Sequence, residues 1–159
     1  MGMVSTHLWF AKDGHEAAEF YVSVVPNSRI TKVVNATAGV PDVPEGSPFV
    51  VELELDGHPV TILTAGPAFT LDEAFSFLLS VETQEEVDHY WDTLIAGGGE
   101  PSQCGWLKDR YGVSWQVVPK ALDDIMSRPD AAGVARATQA MLRMRKLEIA
   151  PLEAAYAGE

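Results

Sequence analysis

The stretch QCGWLKDRYGVSWQVVP, residues 103–119, consists of two short extended runs around a polar turn. Cys104, Trp106 and Leu107 precede the turn, and Trp115, Val117 and Val118 follow it. The turn, Lys108-Asp109-Arg110-Tyr111-Gly112, ends in glycine, the residue that adopts positive φ at least cost. Pro119 has no backbone N–H to offer a ladder and closes the second run. A hairpin stopped by proline is therefore expected here.

Upstream of that hairpin, residues 74–82 read as a strand. Thr83, followed three residues later by Glu86, is a capping-box pattern opening a helix over 84–95. Gly97-Gly98-Gly99 ends the helix and leads to the hairpin. The first half of the chain spells the same order. Residues 6–11, THLWFA, alternate, with Leu8 and Phe10 on one face and His7 and Trp9 on the other. Asp13 is the expected N-cap of a helix over 15–25, whose stripe is Ala17, Ala18, Phe20, Tyr21, Val24 and Val25. Pro26-Asn27 stops it, and a strand over 30–35 follows. The Gly- and Pro-rich segment 38–48 has neither periodicity nor bulk and is expected to be a mobile loop. In 49–56, Phe49, Val51, Leu53 and Leu55 alternate with Glu52, Glu54 and Asp56; Asp56-Gly57 then turns the chain into a strand over 58–65.

Strand–helix–strands thus occurs twice, with helix starts about 70 residues apart. Helical runs over 122–126, 131–147 and 151–157 form a tail the repeat does not require. The expected organisation is a first module over 1–70, a second, shortened module over 71–119 and a helical tail over 120–159, in one compact domain.

At 159 residues and 47% apolar composition the chain can bury a core. No run approaches the ~18 continuous apolar residues of a membrane span. The N-terminus, MGMVSTHLWF, lacks the basic flank and long apolar segment of a signal peptide. The single cysteine, Cys104, excludes an internal disulfide framework and fits a reducing compartment, so a cytoplasmic location is expected. A net charge of −12 argues against nucleic-acid binding, which needs clustered Lys and Arg. The one basic cluster, Arg143, Arg145 and Lys146, reads as a charged face of a late helix.

The duplicated βαβββ order resembles the glyoxalase I / bleomycin-resistance / extradiol dioxygenase superfamily, also called vicinal oxygen chelate. Within it the chain looks like the PhnB-like branch, many of whose members carry the description 3-demethylubiquinone-9 3-methyltransferase. The resemblance rests on LWF (8–10), EAAEFYVSVVPNSRI (16–30), LDG (55–57), AGPAF (65–69), AFSF (74–77), EEVDHYWDTL (85–94) and the 103–119 stretch. FYVSVVPNSRI and CGWLKDRYGVSWQVVP are specific as a pair. The resemblance implies an α+β fold in which two βαβββ modules form curved mixed sheets, with the helical tail added and a homodimer as the assembly. Methyl transfer from S-adenosylmethionine usually uses a Gly-rich strand-to-helix turn and an acidic residue for the ribose. No strand here is followed by that motif, and Gly97-Gly98-Gly99 follows a helix, so methyl transfer is not expected.

Enzymes of the superfamily hold a divalent ion in the concave face of each sheet. The resemblance places His7 on the first-strand ligand position and Ile62, Ser76 and Gln116 on the other three. A first-row ion takes three or four His, Cys or carboxylate ligands. One imidazole with an aliphatic chain, a hydroxyl and an amide is not such a set, and Val60 and Thr64, the outward neighbours of Ile62 on this reading, offer no replacement. No metal and no cofactor are expected.

With Trp9 and Trp106 as aromatic walls, His7, Trp9, Ile62, Ser76, Trp106 and Gln116 make the expected ligand pocket. Plainer readings stand beside this one. His7 serves equally as a strand histidine bonded to a carbonyl or water, and tryptophans of a small domain serve as core. Glu52 and Glu54, opposite the apolar face of their strand, are solvated or, facing an enclosed pocket, one of them is a base. Cys104, without a paired histidine, reads as a small hydrophobe. His15, His58 and His89 stand singly.

Two functions follow. One is a metal-free small-molecule-binding protein, in the manner of the antibiotic-sequestering relatives. The other is a small-molecule lyase, isomerase or dioxygenase using His7 with Glu52 or Glu54 as catalytic groups. A third reading is an interaction scaffold built on the tail, whose Ala-Met-Leu-Arg-Met run covers a core or a dimer seam.

Overall fold

Strands that alternate apolar and polar residues bury one face only, so each needs a helix laid across it. The computed structural model, which describes residues 2–159, meets that need once in each of two compact units, Met1–Leu71 and Asp72–Glu159.

The first unit runs β1 (Thr6–Phe10), α1 (Gly14–Val24), β2 (Arg29–Asn35), β3 (Pro48–Leu55) and β4 (His58–Thr64). Its sheet has the order β1-β4-β3-β2, with β1 parallel to β4 and the other pairs antiparallel. The parallel pair follows from α1, because parallel neighbours need a crossover. Helix α1 packs on β3 and β4, with Ala17, Ala18, Tyr21 and Val24 buried on its side and Leu8, Phe10, Val51, Leu53, Val60 and Ile62 buried on the sheet. Each large apolar side chain so buried contributes about 1.5–3 kcal/mol.

The helix start lies so close to β4 that a Cβ on Gly14 would run into Thr64 Oγ1 and sit 2.7 Å from Ile62 Cγ2. Asp13 does not cap this helix with its side chain, contrary to the sequence expectation. Its backbone is left-handed at φ 61°, and its contribution is the carbonyl that accepts from Ala17 N at 2.9 Å. The Asp56-Gly57 turn has φ of 47° and 80°, the pair of positive values that a two-residue hairpin of matching twist requires.

The second unit repeats the order as β5 (Phe77–Val81), α2 (Gln84–Ile95), β6 (Glu100–Pro101), β7 (Trp106–Lys108) and β8 (Ser114–Pro119). Its sheet runs β5-β8-β7-β6, again with the first pair parallel. The α+β fold with two mixed sheets of the same topology is thus as expected. Strand β5 starts later than residue 74, because Asp72 Oδ1 accepts from Ala74 N at 2.9 Å and holds those residues in a local turn. At the start of α2, Thr83 Oγ1 accepts from Glu86 N at 3.1 Å, while Glu86 Oε2 reaches back to Glu82 N at 2.7 Å, one residue beyond the usual partner.

The hairpin between β7 and β8 is built on Asp109, which is only 2% exposed. Its Oδ1 accepts from the backbone N–H of Tyr111 at 2.8 Å and of Val113 at 3.1 Å, and its Oδ2 accepts from Trp115 Nε1 at 2.9 Å. Gly112 takes the left-handed conformation at φ 89°.

Three helices follow: α3 (Lys120–Met126), α4 (Ala131–Met141) and α5 (Ile149–Ala157). They close over a core of Val118, Leu122, Ile125, Ala137, Leu147 and Leu152, with Met126, Met141 and Met144 packed against it. The methionines of the tail therefore cover this core, while Leu142 between them is 53% exposed. Helix α4 stops at Met141, short of the 147 expected from its pattern. Met144 O and Arg145 O accept instead from Cys104 N at 2.8 Å and Gly105 N at 2.7 Å, a use that a continuing helix would forbid. Gln84 clasps the same segment with both ends of its amide, donating to Leu147 O at 3.1 Å and accepting from Ile149 N at 2.8 Å. Among the described residues no helix is long and apolar enough to cross a membrane.

Candidate functional site

Each sheet turns one face to its helix and leaves much of the other uncovered, although in the second unit Val118 at the end of β8 is buried in the tail core. The functional candidates are sorted by that choice. In the first unit, register sets His7 beside Thr61, Thr61 beside Glu52, and Glu52 beside Lys32, a polar row across all four strands. The next row is Trp9, Leu63, Val50 and Val34. Trp9 is half-buried and fixed: its Nε1 donates to Gly66 O at 2.9 Å, and Phe69 meets its ring edge-on with centroids 5.0 Å apart. Phe69 is itself 65% exposed.

Ile62 does not join these residues. The parallel register pairs it with Leu8, and it is fully buried beneath α1 with Val60. Side chains alternate along a strand, so the residue on His7's face is Thr61. Glu52 and Glu54 do share the open face, but Glu54 is held by Arg29 Nε at 3.1 Å. Glu52 lies two strands from His7, about 10 Å at the usual strand spacing, outside direct hydrogen-bond reach.

In the second unit the open face carries the row Leu78, Gln116 and Trp106. Gln116 Nε2 donates to Ser76 Oγ at 3.0 Å, so Ser76, Trp106 and Gln116 are brought together as neighbours. Leu78 is 56% exposed, an apolar side chain beside the Gln116 amide. One step along the strands is a second row, Glu100, Lys108 and Ser114. Lys108 Nζ bonds to Glu73 Oε1 at 2.6 Å, which raises the ammonium's pKa and lowers the carboxylate's, chiefly through that hydrogen bond. These side chains border a cavity of about 120 Å³ with Trp106 in its wall.

Ser114 and the Glu73–Lys108 pair were missed by the sequence reading. The alternation Ser114, Gln116, Val118 was visible, whereas Glu73 and Lys108 stand 35 residues apart. Cys104 is half-buried with a left-handed backbone at φ 55°. His15 faces Glu19 at 3.7 Å, His58 bonds Thr6 Oγ1 at 2.8 Å, and His89 lies against Tyr90.

The donors fit a divalent ion poorly. His7 has a hydroxyl beside it, Gln116 is an amide engaged with Ser76, and among the described residues no three His, Cys, Asp or Glu side chains gather in a group able to hold a metal.

The family model described as 3-demethylubiquinone-9 3-methyltransferase matches residues 3–118. Among solved structures, a Bacillus cereus protein described as a 3-demethylubiquinone-9 3-methyltransferase, PhnB protein, is 28% identical with a TM-score of 0.67, over 74% of this chain and 99% of that one. A Pseudomonas aeruginosa protein is 17% identical over 75% of this chain and 98% of that one, with a TM-score of 0.61. The fosfomycin resistance protein FosX from Mesorhizobium loti is 11% identical over 80% and 98%, with a TM-score of 0.54, a likeness of fold. No curated protein sequence matches the chain.

Proposed function

The chain belongs to the 3-demethylubiquinone-9 3-methyltransferase family, the PhnB-like branch of the vicinal oxygen chelate superfamily, and within it we propose a binding protein for a small, partly apolar molecule that works without a divalent ion. The observation that carries this reading is the open row of the second sheet, where an aromatic ring, an amide oriented by Ser76 and an exposed leucine lie side by side. A surface of that kind offers apolar contact and directed hydrogen bonds, the two needs of a small-molecule site. His7, Thr61 and Trp9 give the first sheet a similar mixture. Methyl transfer has no support in the chain's motifs, as no strand leads into a glycine-rich turn suited to a nucleotide.

The test is a fragment screen by amide and indole NMR shifts on the full chain. Saturable binding should fall on Trp106, Gln116 and Leu78 or on His7, Trp9 and Thr61. Binding confined to other surfaces overturns the reading.

A second reading, a small-molecule lyase, isomerase or dioxygenase, is favoured by one observation: His7 and Glu52 flank Thr61 in a single row. Groups so spaced act from two sides of a substrate and not on each other. A homodimer and a cytoplasmic location complete the proposal. The exposed Val33 and Val34 of β2, a strand at the sheet edge, support the dimer, and the unpaired Cys104 supports the location.

A further inference from the structure

We propose that the second sheet holds a subsite for the ammonium head of a small organic amine, in the cavity bordered by Ser114, Trp106, Glu100 and the Lys108–Glu73 pair. The proposal deepens the binding reading above and rests on it. The cavity of about 120 Å³ equals roughly four waters at about 30 Å³ each, room for an alkylammonium of a few heavy atoms.

Ser114 is 2% exposed, and its Oγ has no hydrogen-bond partner among the described residues. A buried hydroxyl left in that state lowers stability, and such groups in folded proteins call for an explanation. Ser114 is one of the residues that line the cavity, and a ligand N–H that reaches its hydroxyl can donate to it.

Charge selects the ligand's sign. Glu73 and Glu100 line the cavity with Lys108, two carboxylates against one ammonium, and Asp72 adds negative charge that Lys108 feels. The Glu73 carboxylate is engaged by Lys108, whereas Glu100, paired with Lys108 through the strand ladder, carries a carboxylate for which no side-chain hydrogen bond or ion pair is found among the described residues. A cavity edged in this way attracts a cation and repels a carboxylate or phosphate. The Trp106 indole in the wall adds the aromatic surface that cations favour. A bare metal ion fits less well, because no three His, Cys, Asp or Glu side chains gather among the described residues. An ammonium asks for less: one carboxylate, one hydroxyl acceptor and an aromatic wall.

The experiment is an NMR titration of the full chain with ethylammonium chloride and, separately, with sodium acetate at matched ionic strength. Ethylammonium should give saturable shifts at the Trp106 indole N–H and the Ser114 and Lys108 amides, and acetate none. Ser114→Ala should weaken ethylammonium binding about tenfold, the loss of one hydrogen bond to a charged group. The variant should fold as well as the parent or better, since the hydroxyl has no partner to lose. Glu100→Gln should weaken binding as well. Undiminished binding by Ser114→Ala, or saturation by acetate at the same residues, overturns the proposal. Ethylammonium shifts confined to Leu78 and Gln116 overturn the amine subsite while leaving the small-molecule reading in place. Failure of every probe on the second sheet overturns the subsite together with the part of that reading that rests on this sheet.

Discussion

Asp109 does for the closing hairpin what no other residue in the turn can do. Its carboxylate satisfies two backbone N–H groups and the Trp115 indole at once, in a position closed to water. Asp109→Ala removes the acceptor those three donors share and should lower stability by about 2–4 kcal/mol, measured as the shift in urea unfolding free energy. An unchanged midpoint would show that the turn holds itself. The aspartate was legible as a turn residue, but its burial was not, because that depends on Trp115 folding back over it. His7 and Trp9 were legible as partners on one face, since Leu8 and Phe10 set the phase of their own strand. Ile62 was misplaced for a related reason. In β4 one phase carries Val60 and Ile62 and the other Thr61 and Leu63, and only the parallel pairing with β1 decides which of them faces with His7. On the open face of the second sheet, Trp106→Ala should abolish fragment binding there while leaving the unfolding free energy within about 1 kcal/mol, as a half-buried residue outside the α2 core permits. A large loss of stability would assign Trp106 to the core instead.

At the scale of elements, α1 depends on its first residue. Gly14→Ala must push a methyl against Thr64 and Ile62, and overpacking of this kind should cost about 1–3 kcal/mol, read from thermal or urea unfolding. A stabilised variant, as helix propensity alone would give, would contradict the close approach of α1 to β4. The tail's attachment is electrostatic as well as apolar. The Arg128 guanidinium, bonded to both oxygens of Glu153 at 2.7 and 2.8 Å, holds that carboxyl below its usual pKa. Asp88 is lowered by hydrogen bonds from Lys146 and then Gln84. Carboxyls lowered on folding add stability that is complete above their unfolded values near ~4 and is lost as pH falls through the folded ones. The protection of the α5 amides, relative to their intrinsic exchange rates at each pH, should therefore fall between pH 5 and pH 3, and Glu153→Gln should flatten that dependence. Protection of α5 that is constant or rises on acidification would count against the clasp. The helices and long strands were legible from periodicity. Two features were not: β6, whose Glu100-Pro101 is too short to show a period, and the end of α4, where the carbonyls of Met144 and Arg145 are claimed by the hairpin.

Taken whole, the molecule keeps a helix-backed sheet in each unit and displays a mixed polar and aromatic surface on the other side of it. The order of elements carried that architecture in the sequence, and the family match agrees with it. Which side chains share a face is a matter of register, and register was the part the sequence left open. Light scattering of the full chain should give the mass of two copies, and Val33→Lys with Val34→Lys should reduce it to one; a parent of 17.2 kDa would rule the dimer out. The central claim is that the open faces serve a small molecule without a divalent ion. It is tested most directly by elemental analysis of the untagged protein after incubation with excess Mn, Fe, Ni and Zn and removal of free ions. The account predicts far less than one ion per chain. A stoichiometric ion that is lost on His7→Ala would contradict it.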